Sequence, residues 1–420
     1  MFRPSFAIAL AILPASVSGQ VISDAELRTR VDSFVSRRVA DDAFSGVVLV
    51  ARKGTVVYQR AARIANRQTG APINADTRLQ IASMTKLFTS IAIRQLDQAG
   101  KLALSDTVGK FLPGYPNADV RRKVTIEQLL RHQSGVGSFW NERFMARRGE
   151  VRTVGDYLEL FQNDPLLFEP GARQAYSNGG YVLLGAVIER VSGKSYHDYL
   201  RDNVFRPAGM TQTTPYDRRV TLANAAIGYT SMSNGPVAGD QRLAGVGEAR
   251  PVYLPPSTSA PAAGAPGRNA PVRRPDSAAN APSGGMRLRI QGADGRELSP
   301  EQGSEAVARR TAMRGPRRPN TSFQAAMSSP AGDHFSTAGD LLKLANALAS
   351  NRLLDSGHTT QLMGQRFASG TDYRSNGGGP GVNAELSIYP TGDVMIVLSN
   401  YDPPSATDVA EFIRALLKGA

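Results

Sequence analysis

Ser83 and Lys86 stand three residues apart at the start of an apolar helical pattern, and no other Ser-x-x-Lys spacing occurs in the chain. Three residues is nearly one helical turn, so the hydroxyl and the amine share one face. A serine hydroxyl becomes nucleophilic when a nearby base takes its proton, and an uncharged lysine can be that base. Taken alone, the pair predicts either an acyl-transfer nucleophile or a capping serine beside a solvated lysine.

A second group of polar residues, Tyr176-Ser177-Asn178, precedes a strongly apolar helical pattern. A tyrosine beside a lysine can carry a proton, and an asparagine side chain can hydrogen-bond both that lysine and a substrate amide. Without context, such a tyrosine is usually a half-buried packing residue.

A third group consists of Asn376, Gly377, Gly378 and Gly379, just ahead of a strand predicted to begin near Ala384. Glycines at an edge strand allow a substrate backbone to lie alongside. One of their N–H groups could complete an oxyanion hole with the N–H of Ser83.

The elements that must position these groups come from both ends of the chain. Residues 46–52 and 55–61 predict one antiparallel hairpin, and residues 384–390 and 393–400 predict another. Helical patterns fill the chain between the hairpins, and a helix is predicted before the first hairpin and after the second. We therefore predict an α+β fold, in which an antiparallel sheet from both chain ends is flanked by helices and receives an inserted helical region.

Composition excludes several kinds of site. The 420 residues include no cysteine, which removes disulfides, thiol nucleophiles and cysteine-ligated metals. No dinucleotide fingerprint, phosphate-binding loop or histidine-rich cluster occurs, so we predict no cofactor and no metal. No Gly-x-Ser-x-Gly elbow accompanies the four histidines, and a Ser-His-Asp hydrolase therefore finds little support.

Nearly half of the net charge of +13 lies in one segment. Residues 236–320 contain 13 Arg and 7 acidic residues among many Pro, Ala and Gly. This composition predicts a disordered insertion at residues 236–318, with a small hairpin within residues 286–298. Solvated charge on such a loop does not predict nucleic-acid binding, although a weak contact with the cell envelope stays open.

The first nineteen residues have the pattern of a signal peptide. Arg3 is followed by an apolar run from Phe6 to Leu13 and by the small-residue site Val17-Ser18-Gly19. No later window has the length of a transmembrane helix. We predict a signal peptide at residues 1–19, a single catalytic domain at residues 20–420 around the insertion, and a periplasmic or secreted location.

In order and approximate spacing, the three groups resemble the signatures of the serine β-lactamase and penicillin-binding-protein superfamily, in its class C β-lactamase and esterase branch. The resemblance covers about residues 33–235 and 320–416. It implies a β-lactamase/transpeptidase-like fold and a covalent acyl-enzyme formed without a metal.

The resemblance also implies a role for each residue. Ser83 would become acylated, Lys86 would take up or relay its proton, and Tyr176 would protonate the leaving group and later help to activate water. Asn178 would orient the acyl side chain, and the backbone N–H groups of Ser83 and of the Gly378-Gly379 region would hold the oxyanion.

One departure concerns substrate charge. The third signature usually begins with a cationic Lys or His, and we assign that position to the neutral Asn376. A neutral amide should bind a substrate carboxylate less tightly. His334 is a candidate to replace the missing cation, and Trp140 is a candidate to line the pocket.

These considerations predict an exported serine hydrolase that cleaves a small ester, amide or peptide-like substrate. The alternatives are a β-lactamase and a D,D-peptidase or D-aminopeptidase acting on cell-wall fragments. A protein of another class, an idle module that binds peptidoglycan or a partner, also stays open.

Overall fold

A computed structural model describes residues 22–232, 290–291, 297–298 and 316–418. Its helices are α1 Asp24–Ala40, α2 Thr85–Gln98, α3 Val108–Phe111, α4 Ala118–Lys123, α5 Ile126–Leu130, α6 Glu142–Arg147, α7 Val154–Glu159, α8 Asn178–Ser192, α9 Tyr196–Leu200, α10 Arg206–Ala208, α11 Ala338–Ala349, α12 Ser356–Ala368 and α13 Ser405–Leu417. Short 3-10 turns cover Ala82–Met84 and Asn320–Phe323, and a π turn covers Arg201–Phe205.

The strands are β1 Gly46–Arg52, β2 Thr55–Ala62, β3 Ile64–Asn66, β4 Ala71–Pro72, β5 Leu79–Gln80, β6 Thr214–Pro215, β7 Tyr229–Thr230, β8 Ile290–Gln291, β9 Glu297–Leu298, β10 Arg318–Pro319, β11 His334–Ser336, β12 Tyr373–Gly379, β13 Val382–Ile388 and β14 Asp393–Ser399. Five of them form an antiparallel sheet in the order β12-β13-β14-β1-β2. The first and last strands of the chain meet in its middle, where Val48 lies opposite Val397.

Both faces of this sheet are covered, which explains the unbroken apolar run of β1. Val48 and Val50 pack into an outer cluster with α1 and α13, where Phe34 stacks on Phe412 at 4.1 Å between ring centroids. The alternate residues of β1 face the main core with α2, α8 and α11. Side chains of a strand alternate between faces, so covering both requires apolar residues at every position.

The helical region is inserted between β2 and the returning strands. α2 and α8 lie side by side at its centre, and eleven consecutive residues at the start of α8 are buried. Ser177 caps α8, since its hydroxyl accepts the Gly180 N–H at 2.8 Å. The cap fixes where the second polar group of the sequence meets the helix.

The α+β architecture predicted from the sequence is confirmed. Both predicted hairpins form, as β1-β2 and β13-β14. Residues 376–379, which the sequence places just ahead of a strand, belong to β12, the edge strand that pairs with β13. Within residues 286–298, Ile290 pairs with Leu298 in a two-stranded sheet.

The predicted signal peptide and most of the predicted insertion lie outside the described residues. Across the ranges that the structure describes, no helix combines the length and apolarity needed to cross a bilayer.

Candidate active site

Ser83 lies in the 3-10 turn that leads directly into α2. The residue before it, Ala82, has a φ of +42°, a left-handed conformation that is uncommon for a residue with a Cβ. Such strain persists where the surrounding structure holds it and is frequent at functional sites. The turn presents Ser83 at the N-terminal end of α2, whose dipole favours nearby negative charge.

Lys86 is almost fully buried, with 7% of its surface exposed, beneath the Ser83 hydroxyl. Its Nζ lies 3.2 Å from Ser83 Oγ. The same Nζ donates to Asn178 Oδ1 at 2.8 Å and to the Ala331 carbonyl at 2.6 Å. Elements distant in the sequence therefore converge on one amine.

The Tyr176 hydroxyl lies 2.6 Å from Ser83 Oγ, on the open side of the site. Half of the Tyr176 side chain is exposed, in contrast to buried Lys86. Lys86 Nζ also lies 4.8 Å from the centre of the Tyr176 ring. Ser83, Lys86 and Tyr176 thus form one hydrogen-bonded cluster, in which only the tyrosine faces solvent broadly.

His132 supports the segment that carries Tyr176. Its Nδ1 accepts the Ser177 N–H at 3.1 Å, and its ring lies 4.7 Å from the Tyr176 ring. Burial, together with the nearby Lys86 charge, lowers the pKa of His132 to about 3. The imidazole is therefore neutral near pH 7, which matches the accepting role of Nδ1.

Gly377 is the residue of β12 that touches the Ser83 turn. A Cβ built on Gly377 would lie 2.1 Å from the Ile81 carbonyl oxygen and 2.9 Å from the Ser83 nitrogen. No side chain fits in that space, so a glycine is required for the strand to approach the turn. By contrast, a Cβ on Gly379 would meet nothing within 4 Å.

Ser375, and not Asn376, shares the face of β12 that carries Gly377. Strand residues alternate, so Asn376 and Gly378 lie on the other face, and both are exposed. A Cβ on Gly378 would lie 3.0 Å from Pro403, outside the Ser83 turn. The assignment of the substrate-facing position to Asn376 is therefore corrected to Ser375. Counting the strand alternation back from Gly377 would have identified Ser375. That count requires knowing which glycine of β12 contacts the Ser83 turn, and the sequence does not give it.

His334 does not reach the site. Its ring is fully buried against Phe88, His197 and Phe205, at 5.3 to 6.1 Å between ring centroids. Burial lowers the pKa of His334 well below its usual range, and His197 lowers it further. A neutral, enclosed ring cannot replace the missing cation, so this expectation is wrong.

Trp140 is half-buried on the main core. Its ring lies 4.7 Å from that of Phe144 and 6.0 Å from that of Phe139. The preceding loop does meet the site, since the Gly137 carbonyl accepts the Ser177 hydroxyl at 2.9 Å. A pocket-lining role for Trp140 stays a prediction.

No group of three or more His, Cys, Asp or Glu residues within the described ranges could hold a metal ion. The chemistry available at the site is that of the Ser83, Lys86 and Tyr176 cluster and its backbone.

Solved structures with the same architecture include a penicillin-binding protein and a D-amino acid amidase. A penicillin-binding protein from Bacillus halodurans has a TM-score of 0.63 and 25% identity, over 90% of this chain and 98% of that one. A D-amino acid amidase from Ochrobactrum anthropi SV3 has a TM-score of 0.59 and 20% identity, over 94% of this chain and 97% of that one. At 20% identity the likeness to the amidase shows the fold alone.

The family is shown by sequence. The family model described as Beta-lactamase matches residues 31–418, so the chain belongs to the beta-lactamase family and is a serine hydrolase by class. Penicillin-binding protein 4* of Bacillus subtilis is 35% identical over 192 residues, 44% of this chain and 42% of that protein. A putative D-alanyl-D-alanine carboxypeptidase of Escherichia coli K12 is 30% identical over 203 residues, 45% of this chain and 47% of that protein. These matches span less than half the length of either relative.

Proposed function

We propose that this chain hydrolyses a small ester or amide through a covalent acyl-enzyme on Ser83. The observation that carries the proposal is the position of Ser83 Oγ, 3.2 Å from Lys86 Nζ and 2.6 Å from the Tyr176 hydroxyl. A base and a second proton carrier within hydrogen-bonding distance of one hydroxyl are what nucleophilic catalysis requires.

The contacts of Lys86 suit the role of base. To act as the base, Lys86 must first give up one proton, and in that uncharged form its Nζ has two N–H bonds and one lone pair. Two carbonyl oxygens, of Asn178 and Ala331, accept from Nζ at 2.8 and 2.6 Å. The lone pair is then left to face Ser83 Oγ, and it takes the serine proton as the oxygen attacks.

The protons balance over one cycle. Ser83 Oγ bonds to the acyl carbon, and its proton passes through Lys86 and Tyr176 to the leaving alcohol or amine as the scissile bond breaks. Water then attacks the acyl-enzyme and loses a proton by the same route. The serine hydroxyl is restored when the acid departs.

The oxyanion is held by backbone N–H groups in this proposal. The contact of Gly377 with the Ser83 turn supports a pair of donors, one from Ser83 and one from the Gly378-Gly379 region of β12. The end of α2 adds the field of its dipole.

The substrate preference rests on charge. Ser375 and Asn376 are both uncharged, and the one cation of β12, Arg374, lies on the Asn376 face and is paired with Asp372, so the Gly377 face of β12 offers no cation for a substrate carboxylate. This favours esters, amides and peptide-like substrates over efficient β-lactam hydrolysis.

Labelling with a fluorophosphonate tests the proposal. We expect an adduct mapped to Ser83 by peptide mass spectrometry, and its absence in Ser83→Ala. The surface variant Ser33→Ala should label like the parent protein. Absence of labelling by both a fluorophosphonate and a fluorescent penicillin would instead favour an idle binding module.

We further propose that the protein is exported and that residues 236–318 are an insertion in one domain. The antiparallel pairing of Arg318 with Thr230 supports the insertion, because the chain leaves and returns at neighbouring strands. N-terminal sequencing of the protein from a periplasmic extract tests export, and an intact Met1 would contradict cleavage.

A further inference from the structure

A buried turn at residues 329–332, the Pro330 turn, supplies one of the carbonyl oxygens that Lys86 contacts. Ser329 and Gly332 close the turn by exchanging two backbone hydrogen bonds, each of 3.1 Å. Between them, the Ala331 carbonyl accepts from Lys86 Nζ at 2.6 Å. The place of this acceptor therefore depends on how the tip of the turn is held.

The peptide unit between Pro330 and Ala331 is hydrogen-bonded at both ends. Its carbonyl oxygen, on Pro330, accepts from the Thr89 hydroxyl at 2.7 Å. Its N–H, on Ala331, donates to Ser329 Oγ at 3.2 Å. A peptide unit is planar, so these two bonds fix its orientation and leave only φ and ψ of Ala331 to place the next carbonyl.

Thr89 follows Lys86 by three residues on α2, so the two side chains share one face of the helix. Ser83 precedes Lys86 by the same spacing. Lys86 and Thr89 contact consecutive carbonyls of the Pro330 turn, those of Ala331 and Pro330. The face that carries the nucleophile and its base thus also carries a hydroxyl that holds the acceptor of that base.

Tyr196 of α9 extends this chain of hydrogen bonds, since its hydroxyl lies 2.7 Å from Thr89 Oγ1. A carbonyl oxygen only accepts, so Thr89 gives its single proton to Pro330, and Tyr196 must donate to Thr89. Burial raises the pKa of Tyr196 above its usual range, so the phenol keeps this proton at neutral pH. Neither side chain has exposed surface, and buried donors in series strengthen one another.

The Pro330 ring packs directly on α8. A Cβ built on Gly185 would lie 2.2 Å from Pro330 Cγ, so no side chain fits between the helix and the ring. Pro330 is therefore held by the backbone of α8 and by the Thr89 hydroxyl of α2.

We propose that Thr89 and Tyr196 are positioning residues for Lys86, which act by holding the Pro330–Ala331 peptide in place. This inference rests on the proposed acyl-enzyme function, in which Lys86 is the base. If the Ala331 carbonyl moved away, Lys86 Nζ could turn an N–H toward the serine oxygen in place of its lone pair. The serine proton would then lose its acceptor, which slows the chemical steps without weakening substrate binding.

Thr89→Val, which keeps the branched shape and removes the hydroxyl, tests the proposal with p-nitrophenyl acetate. Its kcat should fall about tenfold, the effect of one lost buried hydrogen bond. KM should stay within about twofold, because acylation and deacylation use the same base. Thr89→Ser keeps the hydroxyl and should retain kcat within about threefold.

Tyr196→Phe removes the outer hydroxyl and should lower kcat about threefold, since Thr89 still reaches Pro330. Tyr58→Phe is the matched control. It removes a hydroxyl that donates to Asp32 at 3.2 Å in the outer cluster, and it should keep both kcat and KM.

A double variant separates positioning from a purely structural role. Thr89→Val alone should slow fluorophosphonate labelling of Ser83 about tenfold. Added to Lys86→Ala, it should change the labelling rate by less than about twofold, because the base that Thr89 positions is absent. An equal relative loss with and without Lys86 would mean that Thr89 acts through the fold, and would overturn the proposal. A wild-type kcat in Thr89→Val would overturn it as well.

Thermal melting followed by circular dichroism checks the fold of each variant. If Thr89→Val does not fold, Tyr196→Phe decides in its place, and a wild-type kcat there would overturn the proposal. No labelling of Ser83 in wild type, or equal labelling in Lys86→Ala, would instead refute the proposed function itself.

Discussion

At the scale of single residues, the account depends on the three contacts of Lys86 Nζ. Its two carbonyl acceptors belong to Asn178 and Ala331, and its third neighbour is Ser83 Oγ. Because the side chain is 7% exposed, water has little access to replace any of these partners. The amine is held in place for proton transfer by groups that do not themselves react.

Lys86→Ala should lower the rate of Ser83 acylation by about 100-fold or more, since the hydroxyl loses its base. The rate of fluorophosphonate labelling measures this effect, and thermal melting followed by circular dichroism checks the fold. Lys110→Ala removes an exposed helical lysine and should react at the parental rate. Acylation by Lys86→Ala near the wild-type rate would remove Lys86 from the mechanism.

Ser375 and Asn376 are neutral neighbours on opposite faces of β12, so introducing a lysine at each position gives a matched pair of variants. Ser375→Lys should raise the acylation rate by benzylpenicillin by about tenfold, because a cation on the Gly377 face can bind its carboxylate. Asn376→Lys adds the same charge on the opposite face and should change that rate little. Acylation rates measured at two ionic strengths compare the variants. A larger gain in Asn376→Lys would contradict the assignment of faces.

At the scale of elements, the site depends on how closely β12 approaches the turn before α2. The turn presents backbone atoms of Ile81 and Ser83 to the strand. At Gly377 the strand lies so close to these atoms that no side chain would fit between strand and turn. The edge strand β12 and the start of α2 therefore build the site together, although nearly 300 residues separate them in the sequence.

Gly377→Ala should lower kcat for p-nitrophenyl acetate at least about tenfold, because the added methyl forces β12 away from the Ser83 turn. Gly379→Ala places the same methyl in open space and should retain activity within about twofold. Steady-state kinetics on both variants measure the difference. Equal activities would show that the close approach is not needed.

Local signals in the sequence predicted the elements well. The two hairpin patterns, at residues 46–61 and 384–400, depend on turns and alternation within a few residues, so their outcome does not depend on distant contacts. The cluster of Ser83, Lys86 and Tyr176 followed from residue types together with a family pattern.

What the sequence could not predict depends on contacts between distant segments. The face of Asn376 is set by which glycine of β12 meets the Ser83 turn. The burial of His334 is set by the packing of α2 and the π turn over β11. Neither contact can be recognised from the local residue pattern, and both predictions failed for that reason.

At the scale of the whole molecule, the fold withdraws three histidines from water, since His334 is buried and His132 and His197 are half-buried. Burial lowers the pKa of His132 to about 3 and that of His197 to about 4, and it lowers that of His334 well below its usual range. An unfolded histidine has a pKa of about 6.5. Below that pH the unfolded chain binds more protons than the folded one, so stability present above pH ~6.5 is lost as the pH falls toward 4.

His334→Phe should reduce the stability lost between pH 7 and pH 5 by about 2 kcal/mol, because one buried histidine no longer resists protonation. Urea unfolding at the two pH values measures the change. An unchanged loss in His334→Phe would contradict the neutral, buried state of this ring.

The Arg-rich segment at residues 236–318 can also be tested as a unit. Replacing residues 240–310 with a short Gly-Ser linker should leave p-nitrophenyl acetate turnover within a few-fold, because β7 and β10 pair at the two ends of the segment. Steady-state kinetics of the shortened protein check this. A loss of 100-fold or more would make the segment part of the pocket.

The central claim is that Ser83 carries the acyl group during turnover and needs Lys86 to acquire it. Acid quenching of a reaction with p-nitrophenyl acetate, followed by peptide mass spectrometry, measures this directly. The account predicts an acetylated peptide containing Ser83 in wild type and none in Ser83→Ala or Lys86→Ala. Turnover that leaves Ser83 unmodified, with the acetyl group on another residue or on none, would contradict it.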